Sequence, residues 1–253
     1  MKILTVANQK GGVGKSTLCC HLAWSAIESG KRVLVVDMDG QMNTTFTLAK
    51  KEDKENFSLI SSMLYQADLP SKDVFNTESG IDLIPADLAT NDLEGLPLDT
   101  IMFPTQHLQQ FAKDYDICII DTPPSLGRRL LASLIASDFV FTPLELSEYA
   151  LQGVESLLET IITVQKKFNS KLKPLGLLPN LFNSRSKSER ETLAELKEQL
   201  GPMVLPFLMN NRVAVKDAVK AKQPVWRHGK GQSGRKAGQE MKAVVEEVLK
   251  RVG

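Results

Sequence analysis

The eight residues Lys10-Gly11-Gly12-Val13-Gly14-Lys15-Ser16-Thr17 constrain this chain more than any other stretch. They follow the short apolar run Lys2 to Ala7, which reads as a buried strand. They open a segment of helical character from about Ser16 to Ser29, closed by Gly30. A strand passing through glycines into a helix is suited to holding phosphate. Glycine permits backbone angles closed to other residues and leaves no side chain in the way, so successive N–H groups can wrap an anion. The following helix points its positive end at the same spot. On this reading Gly11, Gly12, Val13, Gly14 and Thr17 line the cradle. Lys15 reaches the β- and γ-phosphates of a nucleotide, and the Ser16 hydroxyl is a magnesium ligand.

The rest of the chain repeats the alternation. Strands are expected at Arg32 to Val36, Ile81 to Pro85, Asp116 to Asp121, Asp138 to Thr142 and Pro174 to Leu178. Helices are expected at Pro104 to Lys113, Leu126 to Ala136 and about Leu146 to Phe168. Near-continuous apolar strands separated by helices predict an α/β fold, a mostly parallel β-sheet flanked by helices on both faces. With no repeat, low-complexity tract or linker, residues 1–253 read as a single domain. Such sheets bind ligands beyond the carboxyl ends of their strands. Three strands end in chemically loaded residues: the glycine loop, Asp37-Met38-Asp39, and Asp121-Thr122-Pro123. Asp37 and Asp39, two apart on an extended segment, are expected to project the same way.

The loop departs from the common G-x-x-x-x-G-K-[ST] pattern, because Gln9 stands at its first position and Lys10 precedes two glycines. The form K-G-G-x-G-K-[ST] resembles the deviant Walker A box of the ParA/MinD superfamily, and the chain as a whole resembles its ParA/Soj branch. The run Asp121-Thr122-Pro123-Pro124-Ser125 and the pair Asp37 and Asp39 resemble that family too. The likeness runs from Lys2 to about Asp138 and less sharply through Pro143 to Gly153 and Asn180. It implies a deviant P-loop NTPase fold, ATP and Mg²⁺ as ligands, and a homodimer closed on two ATP molecules. In that dimer Lys10 acts on the partner's nucleotide. The resemblance also implies that Asp121 holds magnesium through water and that Asp37 lies near the metal shell. It makes Asp39, at the edge of that shell, the residue that positions the attacking water. Asn180 and Pro206 are candidates for adenine contact. The family's usual proline after this aspartate pair is Gly40 here, which predicts a more mobile loop and an altered hydrolysis rate.

Bulk properties narrow the partner. The chain carries 31 basic and 30 acidic residues and is 42% apolar, which suits a globular core and excludes a whole-surface nucleic-acid coat. Cys19, Cys20 and Cys118 form no metal-like pair and read as buried thiols of a reducing compartment. No run approaches the ~20 apolar residues of a membrane span, and no signal peptide is legible, so a cytoplasmic location is expected. From Arg212 to Lys236 eight basic residues face one acidic residue, 8 − 1 = +7. Such a patch binds phosphates without reading sequence. Arg185, Lys216, Lys220, Arg227, Lys230 and Arg235 are the candidate DNA contacts, with the loop Trp226 to Gly234 expected to expose its charges. The segment Gln239 to Val252 has an apolar helical face but lacks aromatics and a basic polar face. It is expected to dock on the domain, with no membrane partner.

The chain opens on its first strand, with no N-terminal helix-turn-helix extension, which is similar to the short ParA/Soj branch. That resemblance implies an ATPase for plasmid or chromosome partition. Its ATP-bound dimer would hold double-stranded DNA nonspecifically at the nucleoid, and a ParB-type centromere-binding protein would stimulate a weak hydrolysis. A MinD-like or cargo-positioning ATPase is the alternative, and an iron–sulfur carrier a distant third.

Overall fold

The computed structural model describes residues 1–147 and 150–253. In chain order the elements begin with β1 (Lys2–Val6), α1 (Lys15–Glu28), β2 (Val33–Asp37) and α2 (Asn43–Leu48). The middle of the chain forms β3 (Phe75–Asn76), β4 (Asp82–Ile84), α3 (Phe103–Gln109), β5 (Ile117–Asp121) and α4 (Arg128–Ala136). Then come β6 (Phe139–Glu145), α5 (Ala150–Lys167), β7 (Lys173–Asn180) and α6 (Lys187–Leu200). The chain closes with α7 (Val213–Lys220), α8 (Val225–His228) and α9 (Gly231–Val252). The strands form one sheet in the order β3-β4-β2-β5-β1-β6-β7, with β3 antiparallel to β4 and the remaining pairs parallel.

Strand residues alternate cleanly between two cores. Leu4, Val6, Val33, Val35, Ile117 and Ile119 face α1 and α9, while Ile3, Leu34, Val36, Cys118 and Ile120 face the α3–α5 side. Both faces exclude water, which is why these strands read as unbroken apolar runs. All three cysteines are buried and free. The C-terminal helix docks as expected, with Met241, Val244, Val245, Val248, Leu249 and Val252 all buried. No helix among the described residues is long and apolar enough to cross a membrane.

Two expectations about these elements need correction, and one helix carries no legible signal. The helix expected from Leu146 begins at Ala150, with the intervening Glu148 and Tyr149 outside the described residues. The stretch Trp226 to Gly234 is not an open loop: α8 and α9 cross within it, and side chains at Gly229 or Gly234 would strike the other's backbone. Those glycines serve a close helix approach rather than exposure of charge. Helix α6 escaped notice because only Leu193 and Leu196 of its 14 residues are buried, too sparse an apolar stripe to declare a period.

His21 on α1 joins the glycine-loop helix to the C-terminal region. Its Nε2 accepts from the Val225 N–H at 3.2 Å, so Nδ1 carries the proton and donates to the Thr17 carbonyl at 2.7 Å. Trp24 and Trp226 stand edge-on to the ring. Burial pushes the imidazole down to about 4, against the Thr17 hydrogen bond, which raises it. The folded pKa lies below the unfolded one near 6.5, so this stabilisation is complete above that value and is lost as pH falls toward 4. The full loss is on the order of 3 kcal/mol. Urea titrations at pH 7.5 and 4.5 should show a stability drop in the wild type that exceeds the drop in His21→Gln. Parallel losses in the two proteins would contradict a buried neutral histidine.

Candidate nucleotide site at the carboxyl edge of the sheet

Strands β2, β5 and β1 are neighbours, and their registers bring Val6, Asp121 and Asp37 level at one edge. The glycine loop leaves β1 there and turns with left-handed angles at Gly12 (φ 77°) and Gly14 (φ 91°). At Gly14 a second constraint applies, since a Cβ would meet Asn180 Nδ2 at 2.5 Å. That same Nδ2 donates to the Val13 carbonyl at 2.7 Å, so Asn180, at the end of β7, holds the loop's shape. Lys15 begins α1 and is only 6% exposed, with Nζ donating to the Lys10 carbonyl at 3.1 Å. Burial lowers its pKa, while the carboxylates of Asp121 and Asp39 oppose that shift. A cation held out of water at a loop of free N–H groups is organised for an anion.

The carboxylates divide in their commitments. Asp37 is fully buried: one oxygen accepts from the Asp39 N–H (3.0 Å), the other from the Thr45 N–H and hydroxyl (both 2.8 Å). Only Asp37 lies on the strand. A turn begins at Asp39, whose own oxygen accepts from the Gln41 N–H at 3.0 Å. Asp121 Oδ2 accepts from the Thr44 hydroxyl at 2.7 Å, whereas its buried Oδ1 has no hydrogen-bond partner. Burial raises both Asp37 and Asp121, Asp37 further through the charge of Asp121. An unpartnered buried carboxylate oxygen beside Ser16 is a position a magnesium ion, or its water, would satisfy. Among the described residues no group of three or more His, Cys, Asp or Glu could hold a metal alone. Magnesium held by a hydroxyl, a carboxylate, phosphates and water needs no such group, so the residues fit the ion.

Two hollows flank the loop. One of about 410 Å³ is lined by Gly11, Gly12, Gly14, Lys15, Ser16, Thr17 and Asp39. The other, of about 290 Å³, shares Gly12, Gly14 and Thr17 and continues past Asn180 to Met209, Asn210, Asn211 and Met241. Loop, carboxylates and Asn180 therefore meet in one place. Pro206 does not: it is exposed and outside this lining, because Leu205 docks on β7 and the chain reaches the hollow only at Met209. The Lys10 side chain leaves its own loop and pairs with Glu145 at 2.6 Å, its Nζ also donating to the Ser147 hydroxyl at 3.3 Å. Of the basic candidates, Arg185, Lys216, Lys220, Arg227, Lys230 and Arg235 are all exposed. Arg227 is neutralised by Glu28 at 2.7 Å. Arg212, part of the same run, is bound twice by Glu240 and belongs to the hollow's wall.

Sequence reasoning missed several residues that shape this edge. Thr44 and Thr45 could have been suspected as hydroxyls following an acidic turn. Asn91, Glu94 and Arg129 carry no local signal, being joined only by the fold.

A parallel sheet with this loop and these strand-end carboxylates defines a P-loop NTPase of the deviant Walker A class. A family described as AAA domain matches residues 1–174. Protein IncC of Escherichia coli is 32% identical, covering all of this chain and 70% of its own length. The chromosome-partitioning ATPase Soj of Thermus thermophilus is also 32% identical, over 98% of this chain and 96% of its own. A cobyrinic acid a,c-diamide synthase from Mycobacterium smegmatis, solved with ADP and magnesium, superposes with a TM-score of 0.80. It is 29% identical and the match covers 99% of this chain and 95% of that one. The chain belongs to the ParA/Soj family of partition ATPases.

Proposed function

We propose that this chain is a DNA-partition ATPase, one domain over residues 1–253, that binds ATP with magnesium and closes into a homodimer on two nucleotides. The observation that carries the reading is the buried Lys15 ammonium set beside the unpartnered Asp121 oxygen at the glycine loop. The ADP and magnesium in the structural relative from Mycobacterium smegmatis support it. In this reading the N–H groups of Gly11 to Thr17 hold the phosphates, and Lys15 donates to the β/γ oxygens. Asn180 and Met209 wall the base. The Asp39 oxygen not engaged by Gln41 accepts a hydrogen bond from the attacking water and so aims it. Ser16 and Asp121 hold magnesium, which neutralises phosphate charge. Asp37 is already saturated by its own chain and organises the turn. Lys10, outside its own cradle and held among the described residues by exposed contacts with Glu145 and Ser147, can exchange them for a second subunit's nucleotide.

The surface attached by the ATP-bound dimer is nonspecific double-stranded DNA, and a ParB-type partner resets the cycle by stimulating hydrolysis. The packing of α9 favours DNA over a lipid surface, because its apolar face lies in the core. Closing the dimer would set two basic patches side by side, doubling the phosphates engaged. Each neutralised phosphate contributes about −0.9 to the log–log salt slope. Lys220→Glu, Lys230→Glu and Arg235→Glu together should abolish DNA binding and leave ATP binding intact. Arg227 is omitted, since reversing it would set a second acid against Glu28. The test is a filter-binding salt titration with a non-hydrolysable ATP analogue. Equal affinities and slopes for wild type and triple variant would move the contact elsewhere, with Arg185 next to test.

A further inference from the structure

A tie of three side chains spans the loops that carry the carboxylates. Arg129, on α4 and 7% exposed, donates from Nη1 to the Met38 carbonyl at 3.3 Å and to Asn91 Oδ1 at 3.4 Å. Its Nε donates to Glu94 Oε1 at 2.9 Å. The other Glu94 oxygen accepts from the Arg128 N–H at 2.7 Å, and the Arg128 side chain donates to the Glu94 and Leu96 carbonyls. Met38 stands between Asp37 and Asp39, and its N–H donates to the Asp121 carbonyl at 2.9 Å. Met38, the residue that leads into Asp39, is therefore held through both of its backbone groups, its N–H by β5 and its carbonyl by Arg129.

Glycine 40 completes the arrangement. A Cβ there would overlap the Asn91 side-chain amide, and a Cβ at Gly127 would overlap the Glu94 carboxylate. Glycine at this position leaves the space beside the turn open. It admits Asn91, which packs against it.

Resting on the nucleotide reading above, we infer that Arg129, together with Glu94 and Asn91, positions Asp39 for hydrolysis. The guanidinium fixes the Met38–Asp39 peptide, and the Asn91 amide, seated on Gly40, fixes the residue after it. Arginine suits the task because its planar fork reaches three acceptors at once, which a lysine ammonium on a single stem does not. The pair with Glu94 is partly buried, so removing one charge alone would leave the other exposed to a desolvation cost. These residues touch no phosphate, and their effect falls on turnover rather than on binding.

The test compares ATP affinity, turnover and melting temperature in the full chain. Arg129→Lys, which keeps the charge beside Glu94, should lose on the order of 10²-fold in kcat, the effect of roughly an ångström of misplacement. Its ATP Kd should stay within about twofold of wild type, since no donor to phosphate has moved. Gly40→Ala should lose turnover likewise, because its methyl displaces the Asn91 amide, and adding Asn91→Gly should cost little more, because both changes remove the same brace. Such coupling between touching residues is non-additive by nature. Wild-type kcat in Arg129→Lys overturns the inference, as does wild-type kcat in Gly40→Ala. Affinity, turnover and melting temperature falling together would mean a packing role only. A wild-type chain that binds no ATP would overturn the nucleotide reading itself.

Discussion

Lys15→Ala is expected to yield a folded chain that no longer holds ATP. The ammonium lies beneath the loop, 6% exposed, with one hydrogen bond to the Lys10 carbonyl and no ion-pair partner among the described residues. Burial disfavours its charge, and the nearby Asp121 and Asp39 offset part of that cost. Triphosphate oxygens would supply the missing counter-charge. Charge-assisted hydrogen bonds contribute about 1.5–3 kcal/mol each, so two of them amount to roughly 3–6 kcal/mol. That corresponds to a Kd weakened by about 10²–10⁴-fold. Removing a buried cation costs the free fold little, so the melting temperature without nucleotide should hold. Calorimetric titration with ATP and magnesium measures the loss. Near-wild-type affinity would remove Lys15 from the phosphate site.

Lys10→Ala should separate binding from chemistry in the opposite direction. The side chain is 47% exposed, and its partner Glu145 is 40% exposed at 2.6 Å. An exposed pair of this kind contributes no more than about 1 kcal/mol, so it is readily exchanged for a stronger anion. A cation supplied from a second subunit to a transferring phosphoryl group is worth roughly 10³–10⁵ in rate where it has been dissected. ATP affinity of the single chain should therefore stay near normal while partner-stimulated turnover falls by about 10³-fold. Single-turnover hydrolysis at saturating ATP reads the effect. Unchanged turnover would show that Lys10 serves only its local contact with Glu145.

The parts of this molecule that a reader of the sequence could place share one property: their physics is local. β1, β2 and β5 announce themselves because both faces are dry, and the glycine loop because Gly12 and Gly14 hold angles that other residues resist. Asp121 was legible as the charged end of an apolar strand. What stayed hidden depends on distance in the chain. Arg129 meets Glu94 across 35 positions, with no period to betray it. Arg212 and Arg227 read as free charges in the sequence, and the fold brings Glu240 and Glu28 beside them. Pro206 looked like part of the base pocket, yet the chain passes three more residues before it reaches that hollow. The two-residue β3 is too short for any pattern to declare.

The central place of β1 has a further consequence, in the order of events during synthesis. Lys2 finds its partner only at Ile117 and Leu4 its other partner only at Phe139, while the Val13 carbonyl waits for Asn180. At about 5–20 residues per second, roughly ten to thirty-five seconds separate the emergence of the glycine loop from that of its last brace. Throughout that interval the phosphate loop lacks the amide that holds its Val13 carbonyl. The cradle as folded here is complete only once the seventh strand has left the ribosome.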